Sequence, residues 1–454
     1  MKSYTVTPTT KVLRGIIEVA GDKSISHRAL IFGALATGST TIQNMLEGED
    51  VLCTAEILKN LGVTVVKIKN SWKVVSPGLE GFQPFKGVHY CGNSGTTLRL
   101  MTGFFSGLPF SSTLTGDASL NKRPMGRVIE PLTSLGAKIT EDKNEKGRFI
   151  TVTGGHLHKG NFSLKIPSAQ LKTALLLAGL TGNVDIKVKE PLKSRDHSER
   201  MLKAFGAKIK VKGLEVLLAS NSKLKAQKLI VPGDISSAAF FIVAALINRQ
   251  EKTTLTLENI GINPTRVGIL EVLKKMGAKI QLKNKRLVCG EPVADLVVKP
   301  SKLKGVTVSQ KLIPSLIDEI PIISVAASVA KGVTKIRGAE ELRVKETDRI
   351  KALINELPKF GVKVKEYPDG LDIIGLGDSQ PTGSPEVVSY GDHRIAMSMA
   401  VLASISQNPS KIQNTECVAT SFPNFRDLME KWDFRFGKFN VNFCMEELVE
   451  SDLI

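Results

Sequence analysis

The chain has 454 residues, with 62 Lys and Arg against 44 Asp and Glu for a net charge of +18, and 42% of its residues are hydrophobic. That apolar content excludes a disordered, collagen-like or small disulfide-scaffold protein, and the length predicts two or three domains. The five cysteines, Cys53, Cys91, Cys289, Cys417 and Cys444, show no CxxC spacing, which predicts free thiols in a reducing compartment and no zinc site. Residues 1–18 lack the pattern of a secretory signal, and the longest apolar run, 238–247, is about half of what a membrane span needs. A soluble cytoplasmic protein with anionic partners is expected.

In chain order, two signatures alternate. The first is a polar cluster that opens an apolar helix, at Lys23-Ser-Ile-Ser; next comes Leu58-Lys-Asn-Leu-Gly62-Val-Thr-Val65, which reads as an amphipathic helix closed by a left-handed glycine and followed by a strand. Gly92-Asn-Ser-Gly-Thr96 opens the next apolar helix and Leu132-Thr-Ser-Leu-Gly136-Ala-Lys-Ile139 follows it. Ser168-Ala-Gln170 is followed by Leu202-Lys-Ala-Phe-Gly206-Ala-Lys-Ile209, Asp234-Ile-Ser-Ser by Leu273-Lys-Lys-Met-Gly277-Ala-Lys-Ile280, and Asp318-Glu319 by Leu357-Pro-Lys-Phe-Gly361-Val-Lys-Val364. Asp392-His-Arg394 precedes a degenerate last copy, Leu428 to Phe436, with Asp433 where the glycine stood. Each unit therefore predicts two helices and several strands, an α/β block repeated six times. Runs such as Thr173–Leu180 and Ile323–Ala330 are too apolar for a surface, so the first helix of each unit should be buried, and each opening supplies a small polar residue able to cap it.

Six units exceed one core and divide into two groups of three. Ala20-Gly21-Asp22-Lys-Ser and Pro232-Gly233-Asp234-Ile-Ser resemble each other and precede the two trios, which predicts a hinge near 20–22 and 231–234. Residues 22–231 should form one domain, inserted into a discontinuous domain of 1–21 and 232–454, with a ligand cleft between them. If the polar openings face that cleft, their helix dipoles favour an anion there.

Cations stand at these openings: Lys23 and Arg28 flank Ser24, Arg99 follows Thr96, Arg123 precedes Pro124, Lys345 and Arg349 bracket Glu346, and Arg394 follows His393. Such a set suits a small polyanion carrying phosphate or carboxylate. Asp318, Glu319, Glu346 and His393 supply acid–base groups in the same places; Asp318 as a mere helix cap and Glu346 as a mere helix partner of Arg349 are the plainer alternatives. No GxxxxGK[ST] is present, Gly375-Leu-Gly does not complete GxGxxG, and His156-x-His158 reads as a polar loop without further metal ligands. Phe104-Phe105 and Phe240-Phe241 read as core. Four Tyr and two Trp are few for stacking on single-stranded nucleic acid.

Asp22-Lys-Ser-Ile-Ser-His-Arg28, Gly92-Asn-Ser-Gly-Thr96 with Arg99, Arg123-Pro-Met-Gly126, Pro167-Ser-Ala-Gln170, Asp318-Glu319, Arg343-Val-Lys-Glu-Thr-Asp-Arg349 and Asp392-His-Arg394 together closely resemble the 3-phosphoshikimate 1-carboxyvinyltransferase family, over nearly the whole chain. The resemblance implies a two-domain inside-out α/β barrel of six βαβαββ repeats. It also implies transfer of the enolpyruvyl group of phosphoenolpyruvate to the 5-hydroxyl of shikimate 3-phosphate, without metal or organic cofactor. Carried over, Asp318 is the base at the 5-hydroxyl, Glu346 the proton donor to the methylene carbon, and Lys23 an electrostatic support between the substrates. Shikimate 3-phosphate falls to Lys23, Ser24, Arg28, Ser168, Ala169, Gln170, Arg195, Asp318 and Lys345. Phosphoenolpyruvate falls to Lys23, Gly95, Thr96, Arg123, Gln170, Arg349, His393 and Arg394. Leu100 after Arg99, Thr420-Ser-Phe-Pro423 in place of Lys-Thr-Phe-Pro, and Ser194-Arg-Asp-His-Ser198 depart from the better-known branch and look like the second class of the family; Gly95 implies sensitivity to the inhibitor glyphosate. The implied protein is monomeric and binds neither nucleic acid nor membrane. Two rivals share the scaffold: an enolpyruvyl transferase acting on UDP-N-acetylglucosamine, which typically carries Cys where this chain has Ala118, and a basic RNA-binding protein, whose affinity would fall steeply with salt.

Overall fold

The computed structural model describes residues 3–9, 11–145, 147–432 and 435–437; Asp433 of the last repeat and Cys444 lie outside these. The described strands form six sheets that repeat one plan. In the sheet that shows it most simply, Gly160–Ser163 runs parallel to Ile186–Lys189, with the buried helix Ala169–Thr181 as the crossover between them. Glu215–Leu218 then pairs antiparallel with Ile186–Lys189, and Ile209–Lys212 closes the edge antiparallel to it. Val88–Tyr90, Ser111–Thr115, Gly147–Thr153 and Lys138–Asn144 repeat this order.

Three other sheets are completed from far along the chain. Lys228–Ile230 lies parallel to Gly38–Gln43, Arg14–Ile17 lies parallel to Thr254–Gly261, and Ser3–Thr7 sits between Ser410–Gln413 and Arg435–Gly437. The remaining sheet has three strands, Lys331–Ile336, Gly370–Leu376 and Lys363–Tyr367; single bridges from Lys304 to Lys331 and from Thr307 to Lys335 stand where its outer parallel strand would be.

The two helix types expected from sequence are both present. Helices such as Ile235–Ile247 are buried at every residue, while Glu49–Asn60, Gly126–Ser134, His197–Ala204 and Gly268–Lys275 bury one face only. The glycines that close the second type, Gly62, Gly136, Gly206, Gly277 and Gly361, all have φ between +81° and +112°, where a side chain would be strained. Close helix packing has its own glycine: a Cβ on Gly103 of the helix Gly95–Ser106 would lie 2.2 Å from the Ala174 carbonyl oxygen of Ala169–Thr181.

Buried apolar side chains form two clusters. One joins Val6–Val19 to Ile235–Trp432 and the other spans Ile25–Val231. Phe104, Phe105, Phe240 and Phe241 belong to them, as expected. The chain passes between the clusters twice, side by side: Gly21 pairs with Gly233, Asp22 N–H donates to Pro232 O at 2.8 Å, and Asp234 N–H donates to Ala20 O at 3.0 Å. No helix among the described residues is long and apolar enough to cross a membrane.

Candidate active site

Openings from all six buried helices meet at one cleft between the clusters. Lys23 and Ser24 start the helix Lys23–Leu35, Thr96 lies in the first turn of Gly95–Ser106, and Ala169 and Gln170 start Ala169–Thr181. From the other side, Asp234 caps Ile235–Ile247, Asp318 precedes Ile320–Ser328, and His393 and Arg394 start His393–Ala403. These residues line the cleft together with Arg28, Arg195, Arg266, Lys345, Glu346 and Arg349. Ser168 lines the adjoining mouth, and Gly95 and Arg123 stand directly behind, within reach of each other. The sequence-predicted residues are thus brought to one place from six separate turns.

Capping explains why these openings are ordered. Asp22, Ser94, Ser168, Asp234 and Asp392 each accept a backbone N–H of their own first turn, at 2.8–3.3 Å. The sixth opening departs from the expectation. Asp318 caps nothing, because it lies in a 3₁₀ turn, Ile317–Glu319, and Pro321 removes one of the N–H groups a cap would serve. Its carboxylate is turned into the cleft. Arg195 Nη2 lies 2.5 Å from Asp318 Oδ2, and Lys345 Nζ and Arg349 Nη1 each lie 3.4 Å from Oδ1. Glu346 shares Arg349 with Asp318 from the other end and adds a second guanidinium: Arg349 Nη2 stands 2.7 Å from its Oε2 and Arg123 Nη1 3.5 Å from its Oε1. It is therefore more than an i,i+3 partner.

Burial alone would raise the Asp318 carboxyl, but Lys345, Arg195, Arg394 and Arg349 outweigh it and hold the group well below the usual carboxylate range. Glu346 behaves the same way, with Arg349 and Arg123 overcoming its burial. Both are ionised. His393 is pushed well below its ordinary value, by burial and then by Arg394 and Lys23, and so is neutral at pH 7. Thr420 Oγ1 stands 3.5 Å from its Nδ1.

Two further cations, Arg28 and Arg99, are held by neutral groups. Arg28 donates to Ser198 Oγ at 2.7 Å, Thr173 Oγ1 at 2.8 Å and Ser24 O at 2.9 Å. Arg99 donates to Gln170 Oε1 at 2.8 Å, and Gln170 Nε2 in turn to Thr96 Oγ1 at 3.0 Å. Burial lowers both arginines to about 10, which leaves them charged and poorly compensated, ready for an anion. Contacts that span the cleft include Arg195 to Asp318, Arg123 to Glu346, Ser119 Oγ to Glu346 O at 3.2 Å, and Arg127 to Glu341 at 3.0 Å.

Sequence reasoning missed Asp50 and Arg266. Asp50, in the first turn of Glu49–Asn60, forms a short ion pair with Lys23. Arg266 bridges the caps at the two crossings, 2.9 Å from Asp22 and 3.3 Å from Asp234. The Asp22 and Asp234 duplication was legible, and two buried carboxylates in contact call for a cation between them; Asp50 left no such signal. His156 and His158 lie in an exposed loop, and no group of His, Cys, Asp and Glu among the described residues could hold a metal ion.

This arrangement offers an anion site with two carboxylates inside it, and comparison with known proteins narrows it. The sequence profile of EPSP synthase (3-phosphoshikimate 1-carboxyvinyltransferase) matches residues 7–429. The chain belongs to the EPSP synthase family. It is 48% identical to the 3-phosphoshikimate 1-carboxyvinyltransferase of Syntrophomonas wolfei, covering 92% of this chain and 97% of that one. It is 49% identical to the enzyme of the same name from Carboxydothermus hydrogenoformans, covering 94% and 98%. The solved EPSP synthase of Acinetobacter baumannii superposes with a TM-score of 0.84 at 42% identity, over 95% of this chain and 98% of that one. An enolpyruvyl transferase from Streptomyces tendae, with a TM-score of 0.75 at 14% identity, shares the fold. The α/β fold of six repeated units is thus the fold of the EPSP synthase family.

Proposed function

We propose that this chain catalyses the reaction of its family, transfer of the enolpyruvyl group of phosphoenolpyruvate to the 5-hydroxyl of shikimate 3-phosphate in aromatic amino-acid biosynthesis. The observation that carries the reading is the pair of ionised carboxylates, Asp318 and Glu346, set among cations where six helix openings meet. Two substrates, each with a phosphate and a carboxylate, match that excess of donors. Lys23, Ser24, Arg28, Ser168, Ala169, Gln170, Arg195 and Lys345 bind shikimate 3-phosphate. Lys23, Gly95, Thr96, Arg123, Gln170, Arg349, His393 and Arg394 bind phosphoenolpyruvate.

Chemically, the 5-oxygen attacks C2 of the enol, Asp318 takes the hydroxyl proton and Glu346 delivers a proton to the methylene carbon, giving a tetrahedral adduct. Loss of phosphate then breaks the bond between C2 and the phosphate oxygen, and the Glu346 carboxylate takes a proton from the new methyl group to restore the double bond. Each positioned proton transfer contributes roughly 10² to 10⁴ in rate, so Asp318→Asn retaining turnover within about threefold would remove the base assignment. No step needs a metal or organic cofactor.

The two apolar clusters are read as domains 1–21 with 232–454 and 22–231, closing about the paired crossings at 20–22 and 231–234 to orient the reactants. The protein acts as a cytoplasmic monomer inhibited by glyphosate. The test is phosphate release from phosphoenolpyruvate with shikimate 3-phosphate, with no acceptor, and with UDP-N-acetylglucosamine. Release with shikimate 3-phosphate alone supports the proposal. Release with the nucleotide sugar moves the function to the rival transferase, against which Ala118 already speaks. Release with neither leaves an unassigned anion site.

A further inference from the structure

One buried ion cluster stands outside the acid–base and substrate-binding groups. Lys172, in the first turn of the helix Ala169–Thr181, is fully buried, and its ammonium lies 2.7 Å from Glu190 Oε2 and 2.6 Å from Glu199 Oε1. Both glutamates are buried as well. Its neighbours on the helix, Leu171, Ala174, Leu175 and Leu176, are core residues. An apolar side chain would suit that surface, and a buried ion pair is weak ground for stability because desolvation offsets the attraction. What the cluster does supply is fixed geometry.

The connections lead to the cleft. Glu190 follows the strand Ile186–Lys189, and its second oxygen accepts a short hydrogen bond from Ser194 Oγ. The next residue is Arg195, whose guanidinium reaches Asp318. Glu199 lies in the first turn of His197–Ala204 beside Ser198, whose Oγ accepts from Arg28 Nε and stands 2.6 Å from Thr173 Oγ1, the residue after Lys172. One ammonium therefore ties together the helix bearing Ala169 and Gln170, the turn bearing Arg195 and the helix end that orients Arg28.

We propose that Lys172 is a positioning residue for the acceptor half of the site, holding through Glu190 and Glu199 the segments that aim Arg195 and Arg28 at the anion of shikimate 3-phosphate. This rests on the reading that those two arginines bind that substrate. Lys172 touches no substrate; it acts only through the backbone turns its partners fix.

Calorimetric titration of shikimate 3-phosphate into the unmodified enzyme comes first: failure to bind there overturns the acceptor-site reading, whatever the variants do. Given binding, Lys172→Met removes the tie but leaves two buried carboxylates unpaired, so Glu190→Gln is made beside it, keeping one ammonium against one carboxylate and folding if Lys172→Met does not. The expected result for Glu190→Gln is a Kd and KM for shikimate 3-phosphate raised by about tenfold, with kcat at saturation and the KM for phosphoenolpyruvate within about twofold, since small misplacements of binding groups cost one to two orders of magnitude. A folded Glu190→Gln enzyme with a lower Tm and unchanged shikimate 3-phosphate Kd would make the cluster merely structural and overturn the proposal. A uniform loss, with both KM values raised and kcat lowered together, would overturn it as well.

Discussion

Glu346 is ionised among its cations, yet its proposed donor role requires it to carry a proton, so the substrate itself must raise its pKa. Arg349 Nη2 at 2.7 Å and Arg123 Nη1 at 3.5 Å hold it down. An anion held by the same two guanidinium groups lies roughly 5 Å from the carboxylate, where each unit of negative charge contributes about 3 kcal/mol at an effective dielectric near 20, or about 2 pH units. A phosphoenolpyruvate phosphate brings nearly two charges and its carboxylate a third, so bound substrate pushes the Glu346 carboxyl strongly upward against the pull of Arg349 and Arg123. Binding should therefore be accompanied by proton uptake at Glu346. The assay is calorimetry at pH 8 in buffers of different ionisation enthalpy, where the substrate phosphate is already fully ionised, with the acceptor site filled by shikimate 3-phosphate lacking its 5-hydroxyl so that no turnover occurs. The uptake should vanish in Glu346→Gln. Zero uptake in the unmodified enzyme, or the same uptake in both, would refute the reasoning and leave the donor to another group.

Three further outcomes are expected. A Cβ on Gly95 would stand 2.8 Å from Arg99 Nη1 and 3.2 Å from Arg123 Nη1, so Gly95→Ala should dislodge a charge-assisted hydrogen bond and raise the phosphoenolpyruvate KM by roughly 10- to 100-fold, with the shikimate 3-phosphate KM unchanged; steady-state kinetics check both, and a glyphosate Ki that does not rise alongside would count against the crowding argument. His89 is buried between Phe85 and Phe105 with neither ring nitrogen bonded, and burial lowers it from 6.5 to about 4. Because its folded pKa lies below its unfolded one, stability is intact above pH 6.5 and falls as pH drops towards 4, by up to about 3 kcal/mol; His89→Phe should flatten the Tm profile across that window, and an unchanged slope would exclude His89 as its cause. Gly103→Ala drives a methyl group against the Ala174 carbonyl and should cost about 2–3 kcal/mol in denaturant unfolding, whereas a loss under about 0.5 kcal/mol would mean the two helices separate freely.

Local chemistry made the repeats legible and distance hid the sheets. A cap, an apolar run and a closing glycine are read within a dozen residues, and Asp22, Ser94, Ser168, Asp234 and Asp392 all cap as their types require. Nothing in Ser-Tyr-Thr-Val-Thr at 3–7 announces pairing with Ser410–Gln413, because that register is set by which apolar faces meet after both halves have folded. The site divides in the same way. Arg28, Arg349 and Arg394 were visible because a cation at a helix N-terminus opposes the dipole and needs a reason to be there. Asp50 was not, since an acid in a first turn is what the dipole favours, and only the folded chain shows it paired with Lys23.

The cross-cleft pairs give the site a definite electrostatic state. Asp318 and Glu346 are paired with these cations, so part of the positive charge is met inside the protein. On the proposed reaction, substrate binding is an exchange in which phosphate and carboxylate groups would displace internal carboxylates from Arg195, Lys345, Arg123 and Arg349. Each displaced carboxylate loses the partners that held its pKa down and becomes a stronger base, or takes a proton and becomes an acid. One event thereby binds the anions and readies both proton-transfer groups. It follows that a variant removing a cation, such as Arg195→Met, should not only weaken shikimate 3-phosphate but also raise the pKa of Asp318 in the free enzyme. An acid limb of the kcat/KM profile shifted upward in Arg195→Met checks this, and a limb that stays in place would show that Asp318 is set by Lys345, Arg394 and Arg349 alone.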